Sequence, residues 1–359
     1  MLVALVPTPK PPARPARTRG HSLRWAAGLV ALAVVTTAAL AGIAGPEDLV
    51  AALRTADTPL LAAAIATQVL ALVCFANLYR SAHEAVSGTP RDARSGLVGI
   101  AAFGLTQALP GGGAAGALLA IRRFRQLGSP AAMGANVVVH ISLSSLTALS
   151  LVVTVAASAA ALTSGQHTSY AALGALVTSG IVGGVTLARR TGAYQRVQQR
   201  AITRLLQTAA RDGRCVVGRW VTAVDVMAVP LLSPRAFARP LLWSIAKWSL
   251  DLTVLTLAVR AVGGTTPLAA IALSYAAVNL LNSIPLTPGG IGLVEGGITA
   301  TLTAFGLDLG SATAATLTYR LVAYWLPLAA TIPVALTQLA IARPGERSTS
   351  GASPVPAPA

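Results

Sequence analysis

The sequence predicts an all-α fold: a polytopic membrane bundle of about eight apolar segments of membrane length. Two of them are broken by proline and glycine, one in each of two pseudo-repeated halves. Three observations carry this. Of 359 residues, 54% are hydrophobic and 11% charged, with a mean hydropathy of +0.67; soluble domains carry about 25% charge. Apolar runs of about 20 residues, enough to cross a bilayer, recur along the chain. The 27 Lys and Arg outnumber the 11 Asp and Glu and cluster between those runs, as cytoplasmic loops do. That distribution argues against nucleic acid as the partner of the basic charge.

Residues 1–24 hold Lys10, Arg14, Arg17, Arg19 and Arg24 among prolines, and read as a disordered cytoplasmic tail. Trp25 to Ala44 is continuously apolar. It exceeds the usual h-region of about 7–15 residues, so it reads as a retained span rather than a signal peptide. Glu47, Asp48 and Asp57 mark an outside loop, and Leu60 to Tyr79 is the second span. Ser95 to Ile121 is apolar but interrupted, with Arg80, Arg91 and Arg94 before it and Arg122, Arg123 and Arg125 after it. Basic flanks on both sides suggest entry and return on one face.

Ala135 to Ala161 and Tyr170 to Ala188 are spans, and 189–240 is a long inside loop. Leu241 to Ala261 and Pro267 to Leu286 form a hairpin, Thr287 to Phe305 is Gly-rich, and Leu309 to Ala340 is long enough to be tilted or interrupted. Residues 341–359 form a second disordered tail, which leaves 25–340 as the transmembrane domain. Two basic tails place both ends inside and require an even number of crossings. The clean spans are odd in number, so one Gly-rich segment is expected to cross fully.

The two breaks are Pro110-Gly111-Gly112-Gly113 and Pro288-Gly289-Gly290-Ile291-Gly292. Proline removes a donor and glycine admits positive φ, so each stops one helix and starts another. The new helix N-terminus offers backbone N–H groups to an anion. Paired interruptions in two halves point to a transporter's central site. Helix packing through Gly112-x-x-x-Gly116 and Gly292-x-x-x-Gly296 is the competing reading. Gly111, Gly113 and Gly116 also spell G-x-G-x-x-G, but the flanks are membrane helix and no acidic residue follows at the right spacing.

Glu295 and Arg320 are charges within apolar sequence, costly enough to demand partners or water. They could pair as a brace, or form a headgroup site with Arg320 on a phosphate and Glu295 on an amine or a proton. Lys247 and Asp251, four apart, read as a brace, and His140 as a satisfied core histidine. Among Gln107, Asn136, Asn279 and Asn282, Asn282 lies nearest the second break and is the first candidate. No HExxH, GxSxG or P-loop appears, so neither catalysis nor a cofactor is expected. Cys74 and Cys215 imply neither metal nor disulfide. Between Thr191 and Val217, Tyr194, Val197, Ala201, Ile202, Leu205, Leu206 and Ala209 form a helical stripe with Arg196, Arg200 and Arg204 largely off it. That is a basic amphipathic helix suited to anionic lipid.

Trp243-Ser244, Trp248 and Asp251, then Ser283 through Glu295, then Tyr319-Arg320-Leu321 and Trp325-Leu326-Pro327, resemble the lysylphosphatidylglycerol synthase transmembrane-region family. That flippase-like domain is also found in the multiple peptide resistance factor. The resemblance runs from about residue 25 to 340; the second break matches specifically, and the first break with Arg122 more loosely. It implies movement of an aminoacylated phospholipid, or another lipid-linked compound, between leaflets of the plasma membrane. The partners it implies are membrane lipids with anionic headgroups. The chain ends without a synthase domain, so that activity is not expected. The alternatives are a membrane subunit delivering lipid to a separate transferase or glycosyltransferase, and a structural scaffold. The expected site is Glu295, Arg320, Pro288, Gly289, Gly290, Gly292, Asn282, Pro110, Gly111, Gly112, Gly113 and Arg122. Oligomeric state is not legible.

Overall fold

The computed structural model describes residues 56–90, 92–109, 112–164, 234–282 and 288–342, together with Glu47 and Arg54. The two tails, the runs at 25–44 and 170–188, the amphipathic stripe, Pro110 and Gly111 lie outside the described residues. What is described is helical. The helices are α1 (Thr58–Ser87), α2 (Ala93–Ala108), α3 (Gly112–Gln126), α4 (Ala131–Ser164), α5 (Pro234–Ala261), α6 (Leu268–Asn282), α7 (Leu293–Ala304), α8 (Leu309–Arg320) and α9 (Leu326–Ala342). A 3₁₀ turn, Pro288–Gly290, precedes α7, and a π-helical turn, Leu321–Trp325, joins α8 to α9.

Local chemistry sets these boundaries. Asp57 caps α1 by accepting from the Leu60 N–H, and Gly88, at φ 70°, ends it in the left-handed conformation. Asp92 caps α2 and Asp308 caps α8 in the same way as Asp57. Four helical stretches, Thr58–Ser87, Met133–Val155, Ala236–Ala261 and Leu309–Ile341, are long and apolar enough to cross a membrane. They coincide with four of the spans expected from sequence, and the protein is an integral membrane protein.

Each described half repeats one order: a long helix, two short helices separated by a Pro/Gly break, and a second long helix. The short ones have 16, 15, 15 and 12 residues. At 1.5 Å per residue they reach about 18–24 Å, less than the roughly 30 Å of a hydrocarbon core. Pro267 to Leu286, expected as a full span, thus contains one such short helix. The long helices that open the halves, α1 and α5, pack along each other and run antiparallel. The Asp57 N–H donates to the Ala261 carbonyl at 2.8 Å, and at the other end Arg239 meets Glu84 at 3.4 Å.

The two short pairs open onto opposite ends of this bundle. At the Glu84 end, His83 bonds Ser95 in the first turn of α2 and Ser129 just before α4. Also there, Arg123 near the end of α3 donates to Gln338 near the end of α9 at 2.7 Å. At the Asp57 end, the α5–α6 turn lies beside the α7–α8 turn, with Gly264 against Leu307. One apolar core forms from α1 to α4 around Leu78, Phe124 and Val137. A larger one, around Leu255, Ile271, Tyr275 and Ile298, fills the second half. Val69, Leu70, Val155, Leu242 and Leu336 point outward, as a lipid-facing surface requires.

Candidate functional site

The second break is built by three glycines, Gly289, Gly290 and Gly292, at φ 54°, 69° and 88°. Only glycine takes these angles readily. At Gly289 a side chain is excluded twice, because its Cβ would also strike the Tyr324 ring. The turn reverses the chain so that α7 starts at Leu293, with Glu295 one turn in. Its Oε2 accepts the Gly292 N–H at 2.7 Å. The chain's own carboxylate therefore takes up a backbone donor of the new helix N-terminus, where the sequence reading placed an external anion.

The other oxygen of Glu295 holds Arg320. Arg320 Nε donates to Glu295 Oε1 at 2.6 Å, and Nη2 donates to the Gly289 carbonyl at 3.1 Å. The guanidinium also lies over the Tyr324 ring, 4.1 Å from its centroid. Glu295 and Arg320 are 5% and 6% exposed; at that depth an unpaired charge would not be tolerated. Arg320 immediately precedes the π-helical turn. Such turns interrupt the regular ladder and are frequent at functional sites. Here the turn swings Tyr324 under the guanidinium, and the Tyr324 hydroxyl donates to the Gln107 carbonyl at the end of α2 at 3.0 Å. The tip of the first short pair is thereby tied to the second break.

Between the tips lies a cavity of about 260 Å³. Its wall includes Arg320 and Tyr319 from α8, Thr106 and Gln107 from α2, and Gln68 from α1. Lys247, Trp248 and Asp251 come from α5, Asn279 from α6 and Ser145 from α4. Lys247 and Asp251 do pair, at 3.5 Å. Asp251 Oδ2 also accepts the Tyr275 hydroxyl at 2.6 Å, and Lys247 Nζ sits 3.4 Å from the centre of the Trp248 ring. Gln68 Oε1 and Trp248 Nε1 are buried and make no hydrogen bond among the described residues. The cavity thus presents a cationic guanidinium, a second ion pair and spare polar atoms at mid-bundle.

Of the residues singled out in the sequence, the structure brings Glu295, Arg320, Gly289, Gly290 and Gly292 into one site. Asn282 ends α6, its side chain outside what the structure describes, and Asn279, one turn earlier, lines the cavity. Gly112 and Gly113 open α3; a Cβ on Gly113 would meet nothing within 4 Å. Arg122 lies on α3 outside the cavity wall. The packing reading divides between the breaks: Gly116 is pressed against Ala102 and Thr106 of α2, whereas Gly296 faces open space. Lys247 and Asp251, read as a brace, are cavity residues as well as partners. Tyr275 was missed. Its signal was a hydroxyl in the middle of an apolar helix, which needs a partner when buried.

A family model described as the lysylphosphatidylglycerol synthase TM region matches residues 25–330. The chain belongs to this family. No curated protein matches it. The matched range contains the cavity, both breaks and every described residue bonded to Glu295 or Arg320.

Proposed function

We propose that this member of the family moves the headgroup of an aminoacylated phospholipid, or of another lipid-linked compound, between leaflets, without covalent chemistry. The observation that carries the reading is the mid-bundle cavity, which holds Arg320, Lys247 and Asp251 between the tips of two oppositely opening helix pairs. A phosphate suits Arg320 and Lys247, and an amine suits Asp251 and Gln68 Oε1.

On this reading the Glu84 end is cytoplasmic in the plasma membrane, because Arg94, Arg122, Arg123 and Arg125 cluster there. The first short pair re-enters from the cytoplasm and the second from outside, as inverted repeats do around a central site. The four spanning helices plus the apolar runs at 25–44 and 170–188 make six full crossings, with both ends inside. Both Gly-rich segments then re-enter, where one had been expected to cross.

The test is reconstitution into vesicles holding a fluorescent phospholipid that carries a phosphate and an amine. Exchange between leaflets is followed by reduction of the outer label. Exchange faster than in protein-free vesicles is expected. An unchanged rate with that lipid and with a lysyl-phosphatidylglycerol analogue would sink the proposal.

A further inference from the structure

Along α4, Asn136, His140 and Ser144 recur every four residues and so share one face, with Ser145 beside them. Asn136 is 8% exposed and His140 and Ser144 are fully buried. The Asn136 carbonyl pairs with His140 Nδ1 at 2.8 Å. Ser244 of α5, also fully buried, donates to Ser145 Oγ at 3.3 Å, and Ser145 belongs to the cavity wall. From Asn136 to Ser145 the stripe rises about 14 Å. Because α4 begins at the Glu84 end, it runs from near that end to the cavity.

An apolar stripe would pack these helices at less cost. Asn136 Oδ1 and Ser144 Oγ are buried and have no hydrogen-bond partner among the described residues. Leaving such an atom unsatisfied costs about 1–3 kcal/mol; buried water is its ordinary partner. His140 is the titratable group on the stripe. At the near end lie Glu84 on α1 and Arg239 on α5, already paired, with Arg80 and the titratable His83 on α1, Asp92 and Arg94 at the start of α2, and Arg122, Arg123 and Arg125 at the end of α3. At the far end Asp251 faces Lys247 on its own helix, Tyr275 on α6 and Tyr319 and Arg320 on α8, with Glu295 of α7 behind Arg320. From α1 and α4 the cavity wall around it adds Gln68 and Ser145, neither titratable.

We propose that this stripe is a proton path between the Glu84 end and the Lys247–Asp251 pair, and that proton movement along it is coupled to headgroup exchange. The coupling rests on the translocation reading; the path does not. A proton from water at the Glu84 end is held by His140 as imidazolium. It passes through water held by Ser144 and Ser145 to the Asp251 carboxylate, which becomes neutral and releases Lys247. When Asp251 gives the proton up towards the opposite end, the ion pair re-forms and every carrier is as it began.

The test uses the full chain in vesicles loaded with a pH-sensitive dye, with a potassium diffusion potential drawing protons in. The parent is expected to take up protons at least ten-fold faster than His140→Gln, and several-fold faster than Ser144→Ala, a small change that keeps the packing. Ser142→Ala, on the exposed side of α4, should match the parent. No uptake by the parent, or equal uptake by the parent, His140→Gln and Ser144→Ala, overturns the path. Leaflet exchange is read in the same vesicles. Exchange without proton uptake overturns this inference and leaves translocation standing; His140-dependent uptake without exchange supports the path and overturns translocation.

Discussion

Removing one partner of the Glu295–Arg320 pair and then both separates a brace from a site. Breaking a buried pair from one side costs about 3–5 kcal/mol, because the survivor is left charged in low dielectric. The surroundings make the two single changes unequal. In Glu295→Gln the amide oxygen can still accept the Gly292 N–H, while Arg320 keeps the Gly289 carbonyl and the Tyr324 ring, so the loss should fall at the low end. In Arg320→Met the carboxylate keeps one backbone donor, loses its only described cation, and should fall at the high end. The double variant strands no charge and should recover most of the stability. It should nevertheless lose most leaflet exchange, because Lys247, already paired with Asp251, is then the one described cation of the cavity wall left to offset a phosphate. Thermal stability in detergent and exchange of labelled phospholipid, read on all four proteins, decide the matter. A stable double variant with full exchange would refute the reasoning, since the pair would then be a brace alone.

Three further outcomes follow from the same geometry. Gly289→Ala forces a Cβ into the left-handed region, at roughly 1–2 kcal/mol, and into the Tyr324 ring; Gly113→Ala, with open space around it, should be near neutral, so equal melting temperatures for the two would count against the break as described. Single cysteines at Thr89 and Gly306, with Cys74 and Cys215 replaced, should label from opposite sides of intact cells, and labelling of both by an impermeant reagent from outside would contradict the antiparallel arrangement. The Ser311 N–H holds the Asp308 carboxyl below its ordinary value; a depressed folded value stabilises above the unfolded pKa, and the gain is lost as pH falls through the folded one. The melting temperature of the parent should therefore drop more between pH 7 and pH 3 than that of Asp308→Asn, and parallel curves would show that the cap contributes nothing measurable.

Helix class, four spans and both breaks were legible because each rests on local chemistry. A run of apolar residues must be helical in lipid, and proline next to glycine must end a helix. Glu295 and Arg320 stood out because charge in lipid is costly. Lys247 and Asp251 were legible as a pair, since i and i+4 share a helix face, but not as cavity residues. What decides that is the antiparallel seam of α1 on α5, which brings Gln68 opposite them and leaves no trace in the local pattern. Asn282 was favoured over Asn279 on sequence distance from the break, yet a helix turns its faces inward every three to four residues, so the neighbour one turn back was equally eligible. Of Pro267 to Leu286 the structure describes a helix over Leu268–Asn282, and the residues that follow, Pro285 among them, lie outside the described residues.

A helix broken at mid-bundle exposes backbone groups that lipid cannot satisfy, so the break must carry its own partners. In the second break Glu295 covers the Gly292 N–H and Arg320 covers the Gly289 carbonyl. Each of those side chains then neutralises the other. Backbone repair and charge neutralisation are thus one structure, and a ligand that competes for Arg320 would loosen the turn that shapes the cavity. The Tyr324 hydroxyl ties the end of α2 to the same structure through the Gln107 carbonyl, so on the proposed reading the tip of the first pair would respond to occupancy of the second. Tyr324→Phe tests this link: it deletes one hydrogen bond to the Gln107 carbonyl and keeps the ring beneath the guanidinium. Stability should fall by about 1 kcal/mol, while exchange should slow by more than ten-fold if the two tips must move together. A variant with that small stability loss and parental exchange would show that the tips act independently, and the coupling would have to run through the α1–α5 seam instead.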